Sequence, residues 1–174
     1  MRDNDGLLGN IEQIMEKFVL SELSNQIGFL RYRACQFYSC FGFITFKNKQ
    51  NVKAAVEGIY KCIMDKCLPV KVASAIALNQ MVEQDEAISI LKPGLNQILS
   101  NYLTIMNEID SDQVVESLQE FILTFGDSIT NYAIDLVKHL AKAFFKYVNY
   151  NSQNYSCNLH SKDIDLKEGF GAPF

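Results

Sequence analysis

The chain has 174 residues, 48% of them hydrophobic, with a formal charge of -4 at neutral pH. That is long enough for a domain with a real core, and a mildly acidic balance speaks against a basic nucleic-acid-binding face as its main device. Only 3 prolines and 9 glycines interrupt it, so helices can run long.

Apolar residues recur at helical spacing almost throughout. Ile11, Ile14, Met15, Phe18 and Leu23 define a first helix ending near Ser24-Asn25. The second starts around Gly28 and carries Leu30, Ala34, Phe37, Phe41 and Ile44 on one stripe. The run from Phe41 to Phe46 reads as the end of that helix, because an isolated strand has no sheet to join. After the polar link 47–51, Val52, Ala55, Val56, Ile59 and Ile63 mark a third helix, and 68–82 a fourth. Pro69 fits its first turn, where amides lack intrahelical partners, and Ala73, Ala75 and Ala77 present a face on which a neighbour can come close. Enlarging Ala77 should overpack that contact.

Gln84-Asp85-Glu86 opens a short helical turn before Pro93, beyond which Leu95, Ile98, Leu99, Tyr102, Met106 and Ile109 form a further stripe. Asp110-Ser111-Asp112 ends it and offers short side-chain oxygens as an N-cap for the next helix, along Val114, Leu118, Phe121, Ile122 and Phe125. Gly126-Asp127-Ser128 reads as another turn, and Ile129, Ala133, Leu136, Leu140, Phe144 and Val148 as a last helix. Short connections predict antiparallel neighbours. The polar stretch 149–174 has no helical stripe and reads as a loop or tail.

The pattern repeats. Leu30-Arg31-Tyr32-Arg33-Ala34-Cys35 can be laid on Leu68-Pro69-Val70-Lys71-Val72-Ala73, setting Arg33 against Lys71, and Val114 falls at a looser third position. Helical pairs of the HEAT and armadillo kind recur at roughly 40–47 residues. The expected fold is all-α: a solenoid of HEAT-type antiparallel pairs, about three and a half of them, over 1–148, with an irregular helical bundle as the alternative. Arg33, Pro69, Lys71, Ala73 and Ala77 are then inter-repeat structural residues. Arg31, Arg33 and Lys71 stand near helix starts, against the dipole preference, which suits contacts between repeats better than contacts with a ligand.

Signs of chemistry are poor. Neither phosphate-cradling glycine motifs nor a nucleophile elbow occurs, and no catalytic residue, cofactor or metal site is expected. His139 reads as a surface or boundary residue on the last helix. Cys157 and His160 offer two metal ligands where structural zinc wants four. Cys35, Cys40, Cys62, Cys67 and Cys157 contain no paired spacing and read as small buried hydrophobes of a reducing compartment. The most apolar stretch, 34–46, is too short and too interrupted to cross a bilayer, and the polar first ten residues do not resemble a signal peptide.

Three segments together carry a resemblance: Phe29-Leu30-Arg31-Tyr32-Arg33-Ala34-Cys35, Phe46-Lys47-Asn48-Lys49-Gln50-Asn51, and Leu68-Pro69-Val70-Lys71-Val72-Ala73-Ser74-Ala75-Ile76-Ala77-Leu78. In order and spacing they resemble the importin-β superfamily of nuclear transport receptors, in its importin seven/eight branch, from about Ile11 to Val148. Such receptors are several times longer, so the resemblance implies an internal or truncated segment. It implies a receptor that carries protein cargo through the nuclear pore, touches phenylalanine-glycine repeats of nucleoporins, and releases cargo on meeting Ran bound to GTP through other parts of the receptor. Such a receptor shuttles between cytoplasm and nucleus, with no direct nucleic-acid partner and no membrane insertion. Cargo, expected to be basic, would then meet Glu83, Glu116 and Glu120 on the inner helices. A HEAT-repeat scaffold subunit of a non-transport complex is the alternative function.

Overall fold

The computed structural model describes residues 10–130 together with Ala133, Ile134, Val137, Lys138, Ala141 and Phe145. Two compact units divide the chain, Met1–Ala133 and Ile134–Phe174. The described residues of the second unit are helical. The expected last helix and the tail otherwise lie outside the described residues, as do His139, Cys157 and His160.

Among its described residues the first unit contains seven helices and no strand. Helix α1 runs over 10–24, passing from α geometry through a π-turn at Met15–Val19 into a 3-10 stretch at Leu20–Ser24. There follow α2 (Gly28–Phe41), α3 (Lys49–Cys62), α4 (Leu68–Met81), α5 (Asp85–Leu91), α6 (Leu95–Glu108) and α7 (Asp112–Ile129). Between α5 and α6 the chain tightens into a 3-10 turn at Lys92–Gly94. Pro93 has no amide to donate and its ring collides with the preceding turn, so the helix bends there instead of continuing straight. The α5–α6 unit thus serves as one bent outer helix.

Three antiparallel pairs result: α1 with α2, α3 with α4, and α5–α6 with α7. They stack so that outer helices meet outer helices and inner helices meet inner helices. Parallel running within each row follows from which ends meet. A Cβ on Gly28, at the start of α2, would lie 3.9 Å from Cys67, the N-cap of α4, while one on Gly42, just past the end of α2, would lie 3.1 Å from Met81 Sδ at the end of α4. In the outer row the Glu12 carboxylate accepts from the Lys47 and Asn48 amides at 3.0 and 2.8 Å, just ahead of α3. Near the other end, Gly58 leaves room for Leu23, whose Cδ1 would stand 2.8 Å from any Cβ there. Rows of parallel helices joined as antiparallel pairs make this a HEAT-type α-solenoid.

The core lies between the rows. Val52, Ala55, Val56 and Ile59 of α3 and Val70, Ala73, Ala77, Leu78 and Met81 of α4 are all buried there. Ala77 is fully enclosed. Ala77→Leu is expected to force its neighbours off their rotamers and lower stability by about 1–3 kcal/mol, read as a lower Tm; an unchanged Tm would contradict the packing described.

Three expectations need correction. Gly126-Asp127-Ser128 is no turn: α7 runs through it to Ile129, because Phe125 and Ile129 lie on one buried stripe with Val114, Leu118 and Phe121. Ser111 stands at the N-cap of α7 but makes no side-chain capping bond. The second helix stops at Phe41, and Ile44 and Phe46 are buried from the connection that follows. Of the cysteines, Cys35 and Cys62 are buried and Cys67 half-buried, but Cys40 is exposed; all four are free thiols. No helix among the described residues is long and apolar enough to cross a membrane.

Candidate protein-binding surface

Polar side chains lock each pair to the next. Arg31, in the first turn of α2, donates from Nε and Nη2 to the Asp65 carboxylate at 2.6 and 3.0 Å. Its Nη1 donates to the carbonyls of Asn25 and Gln26 at 2.6 and 3.0 Å. Asp65 lies in the turn between α3 and α4 and also accepts from the Cys67 amide at 2.8 Å. Burial pushes its carboxyl up, but the Arg31 and Cys67 hydrogen bonds outweigh that and hold it below its ordinary value. One repeat later Lys71, in the first turn of α4, meets Glu108 at the end of α6 across 3.4 Å. Lys49 pairs with Glu86 in the outer row. At the opposite end Gln84 Nε2 donates to the carbonyls of Gly42 and Ile44 at 3.1 and 2.9 Å, tying the α4–α5 turn to the α2–α3 connection.

Deeper in, Tyr102 of α6 and Ser117 of α7 meet the Ala75 carbonyl of α4. Tyr102 donates to it at 2.6 Å, the two hydroxyls lie 2.8 Å apart, and Ser117 Oγ stands 2.9 Å from the same carbonyl. Both residues are buried, so each hydroxyl needs this partner. Burial drives the Tyr102 phenol well above its ordinary value, keeping it a neutral donor.

These contacts change the register read from sequence. Helices α2 and α4 start at Gly28 and Leu68, so Arg31, not Arg33, is equivalent to Lys71. Arg33 is exposed and its Nη1 donates to Gln36 on its own helix at 2.9 Å. Pro69 occupies the first turn of α4 and is exposed, whereas Ala73 and Ala77 are buried.

Glu116 and Glu120 lie one turn apart on the exposed side of α7. Glu83 is exposed too, just beyond α4. Since α4 and α7 run the same way, Glu83 is level with the end of α7 while Glu116 is near its start. The three do not gather at one spot. Apolar groups are exposed on the same solenoid, among them Phe18, Phe29, Phe43 and Leu123. A cleft of about 520 Å³ opens between α1 and α2, lined by Phe18, Leu30, Phe37 and Phe41 with Glu22 and Arg33 at its polar margin. This is a surface of helix faces and inter-helix grooves, suited to binding other proteins.

No family model matches the chain, and no solved structure gives a significant match. Among curated proteins it is similar to human "Importin-8", 32% identical over 138 residues, which cover 78% of this chain. The chain belongs to the importin-β superfamily. The "Probable importin-7 homolog" of Dictyostelium discoideum is 29% identical over 147 residues, or 84% of the chain. The "Importin beta-like SAD2 homolog" of Arabidopsis thaliana is 26% identical over 149 residues, or 86%. The chain spans only 13–14% of the length of these relatives, so it corresponds to a short stretch of an importin-type solenoid.

Glu116 and Glu120 were legible in the sequence as exposed helix positions, whereas Glu83, expected on an inner helix, lies in the turn just beyond α4. Asp65, Gln84 and Glu12 were not singled out, although they hold the repeats together. Asp65 sits in the very turn that precedes Pro69, a position where an acceptor for a neighbouring cation could have been sought. Glu12 and Gln84 act across 35 to 42 residues and leave no local signal.

Proposed function

We propose that the chain is a segment of a nuclear import receptor that binds protein cargo and nucleoporin phenylalanine-glycine repeats in a Ran-GTP-regulated cycle. The observation that carries the proposal is the similarity to importins from three distant organisms over most of the chain's length. Ran-GTP acts through other parts of the receptor, the polypeptide shuttles between cytoplasm and nucleus, and no catalytic step is involved. Cargo meets the inner row. There Glu83, Glu116 and Glu120 present carboxylates to solvent, with reach limited by screening to about 8 Å at physiological salt. Their separation along the row favours an extended basic segment over a compact basic knob.

Fluorescence-anisotropy titration of basic cargo segments against the chain tests the residue assignment. Glu116→Lys with Glu120→Lys is expected to weaken binding severalfold at low salt and much less at high salt, as exposed charge pairs do. Unchanged affinity for every basic segment at low salt would remove these two carboxylates from cargo binding.

A further inference from the structure

One turn along each inner helix from its ion pair lies a second polar junction. Past Lys71 it is the Ala75 carbonyl of α4, held by the hydroxyls of Tyr102 and Ser117. The same step on α2 leads from Arg31 to Cys35, whose thiol is in hydrogen-bonding contact with that of Cys62, the last residue of α3. Both thiols are buried and both are free. Their register is set by Arg31 and Asp65. Arg31 shares the Cys35 face of α2, Asp65 follows Cys62 by three residues, and the two meet in bonds of 2.6 and 3.0 Å. The ion pair therefore holds the thiols together.

The two sulfurs are not alike. Contact with the Cys35 thiol, helped by the Arg31 guanidinium, holds the Cys62 thiol below its ordinary pKa against burial and Asp65. The same contact and burial push Cys35 well above. The proton therefore leaves Cys62 first, and the thiolate is the reactive form. As a thiol, Cys62 donates to the Leu23 carbonyl at 3.3 Å. Leu23 belongs to the 3-10 stretch that ends α1 after its π-turn.

We propose that Cys35 and Cys62 are an oxidation site, a buried dithiol that a small hydroperoxide closes to a disulfide between the first helical pair and the second. Irregular helix is suited to local opening, and the oxidant enters when the 3-10 end of α1 lifts from Cys62. The Cys62 thiolate attacks the peroxide: an S–O bond forms, the O–O bond breaks, and the departing hydroxide takes up the proton that Cys62 gave, as water. Cys35 then attacks the Cys62 sulfur. The S–S bond forms, the S–O bond breaks, and hydroxide leaves with the Cys35 proton as a second water. Two thiols are oxidised and one hydrogen peroxide is reduced to two waters. The bond fastens α2 to α3 beside the Arg31–Asp65 pair. Cargo binding plays no part in this inference, so the two fail separately.

The test treats the full chain with hydrogen peroxide under native conditions and maps the thiols by non-reducing tryptic mass spectrometry. Cleavage after Arg33, Lys47, Lys61, Lys66 and Lys71 leaves Cys35 and Cys40 on one peptide and sets Cys62 and Cys67 apart. The exposed Cys40 is therefore replaced, as Cys40→Ser. The expected product is peptide 34–47 joined to 62–66, with the loss of two hydrogens from the intact mass and recovery of both thiols in dithiothreitol. Cys35→Ser should halt the reaction at a Cys62 sulfenic acid, trapped by dimedone severalfold more than in the Cys40→Ser chain. Because Cys35→Ser alters a buried site, the linkage map of the Cys40→Ser chain decides independently of it. A link from Cys35 to Cys67 or Cys157 overturns the proposal. So does a Cys35–Cys62 link that forms only in urea, or two thiols that survive peroxide while Cys40 of the wild-type chain is oxidised.

Discussion

Tyr102→Ala is expected to lower unfolding stability by about 3–5 kcal/mol, the range for removing a large buried aromatic. The ring is fully enclosed, packs against Phe121 at a centroid distance of 5.7 Å, and carries the hydroxyl that reaches the Ala75 carbonyl. Removing it empties the junction of α4, α6 and α7 and leaves Ser117 as the remaining side-chain donor to that carbonyl. Tyr102→Phe separates the two contributions: the ring stays, and only the hydrogen bond is lost, at about 1–2 kcal/mol. Urea unfolding of both variants measures the difference. Equal losses for the two would mean that the cavity costs nothing and the junction is loosely packed.

Asp65→Ala should cost about 3 kcal/mol, the low end for removing one partner of an ion pair withdrawn from water. Arg31 and Asp65 side chains are 14% and 9% exposed. The Asn25 and Gln26 carbonyls still hold Arg31 in the variant, which keeps the loss from being larger. The pair also sets a pH dependence. Because the folded carboxyl lies below its unfolded value, its contribution is present above about pH 4 and is lost as pH falls through the folded pKa. The wild-type stability curve should therefore drop across that acid range, and the Asp65→Ala curve should be flatter there. Parallel curves would show that the carboxylate is not held by Arg31.

Where local pattern and tertiary packing agree, the sequence was sufficient. Helices α4 and α6 emerge within a residue or two of their observed limits because their buried apolar residues recur at helical spacing, whereas α3 starts at Lys49, three residues ahead of the expected Val52 and inside the stretch read as a polar link. Gly126-Asp127-Ser128 shows the opposite case. Those residues suit a turn locally, but a helix broken there could not keep Phe125 and Ile129 on the same buried face. The repeat register was misread for a related reason. Arg31 and Arg33 are both plausible matches to Lys71 by spacing, and only the helix starts and the Asp65 contact choose between them. Ala73 and Ala77 could be named from their small size and position alone. The Tyr102–Ser117–Ala75 junction could not, because it joins three helices whose approach no single segment encodes.

We read this chain as a working piece of an importin-type solenoid. That reading is tested most directly by replacing the 138 matched residues of human Importin-8 with the aligned residues of this chain and measuring cargo import in permeabilised cells. The expected result is a folded chimera that still accumulates cargo in nuclei and still releases it to Ran-GTP. A chimera that is fully helical and melts cooperatively, yet neither enters nuclei nor carries cargo, would contradict it.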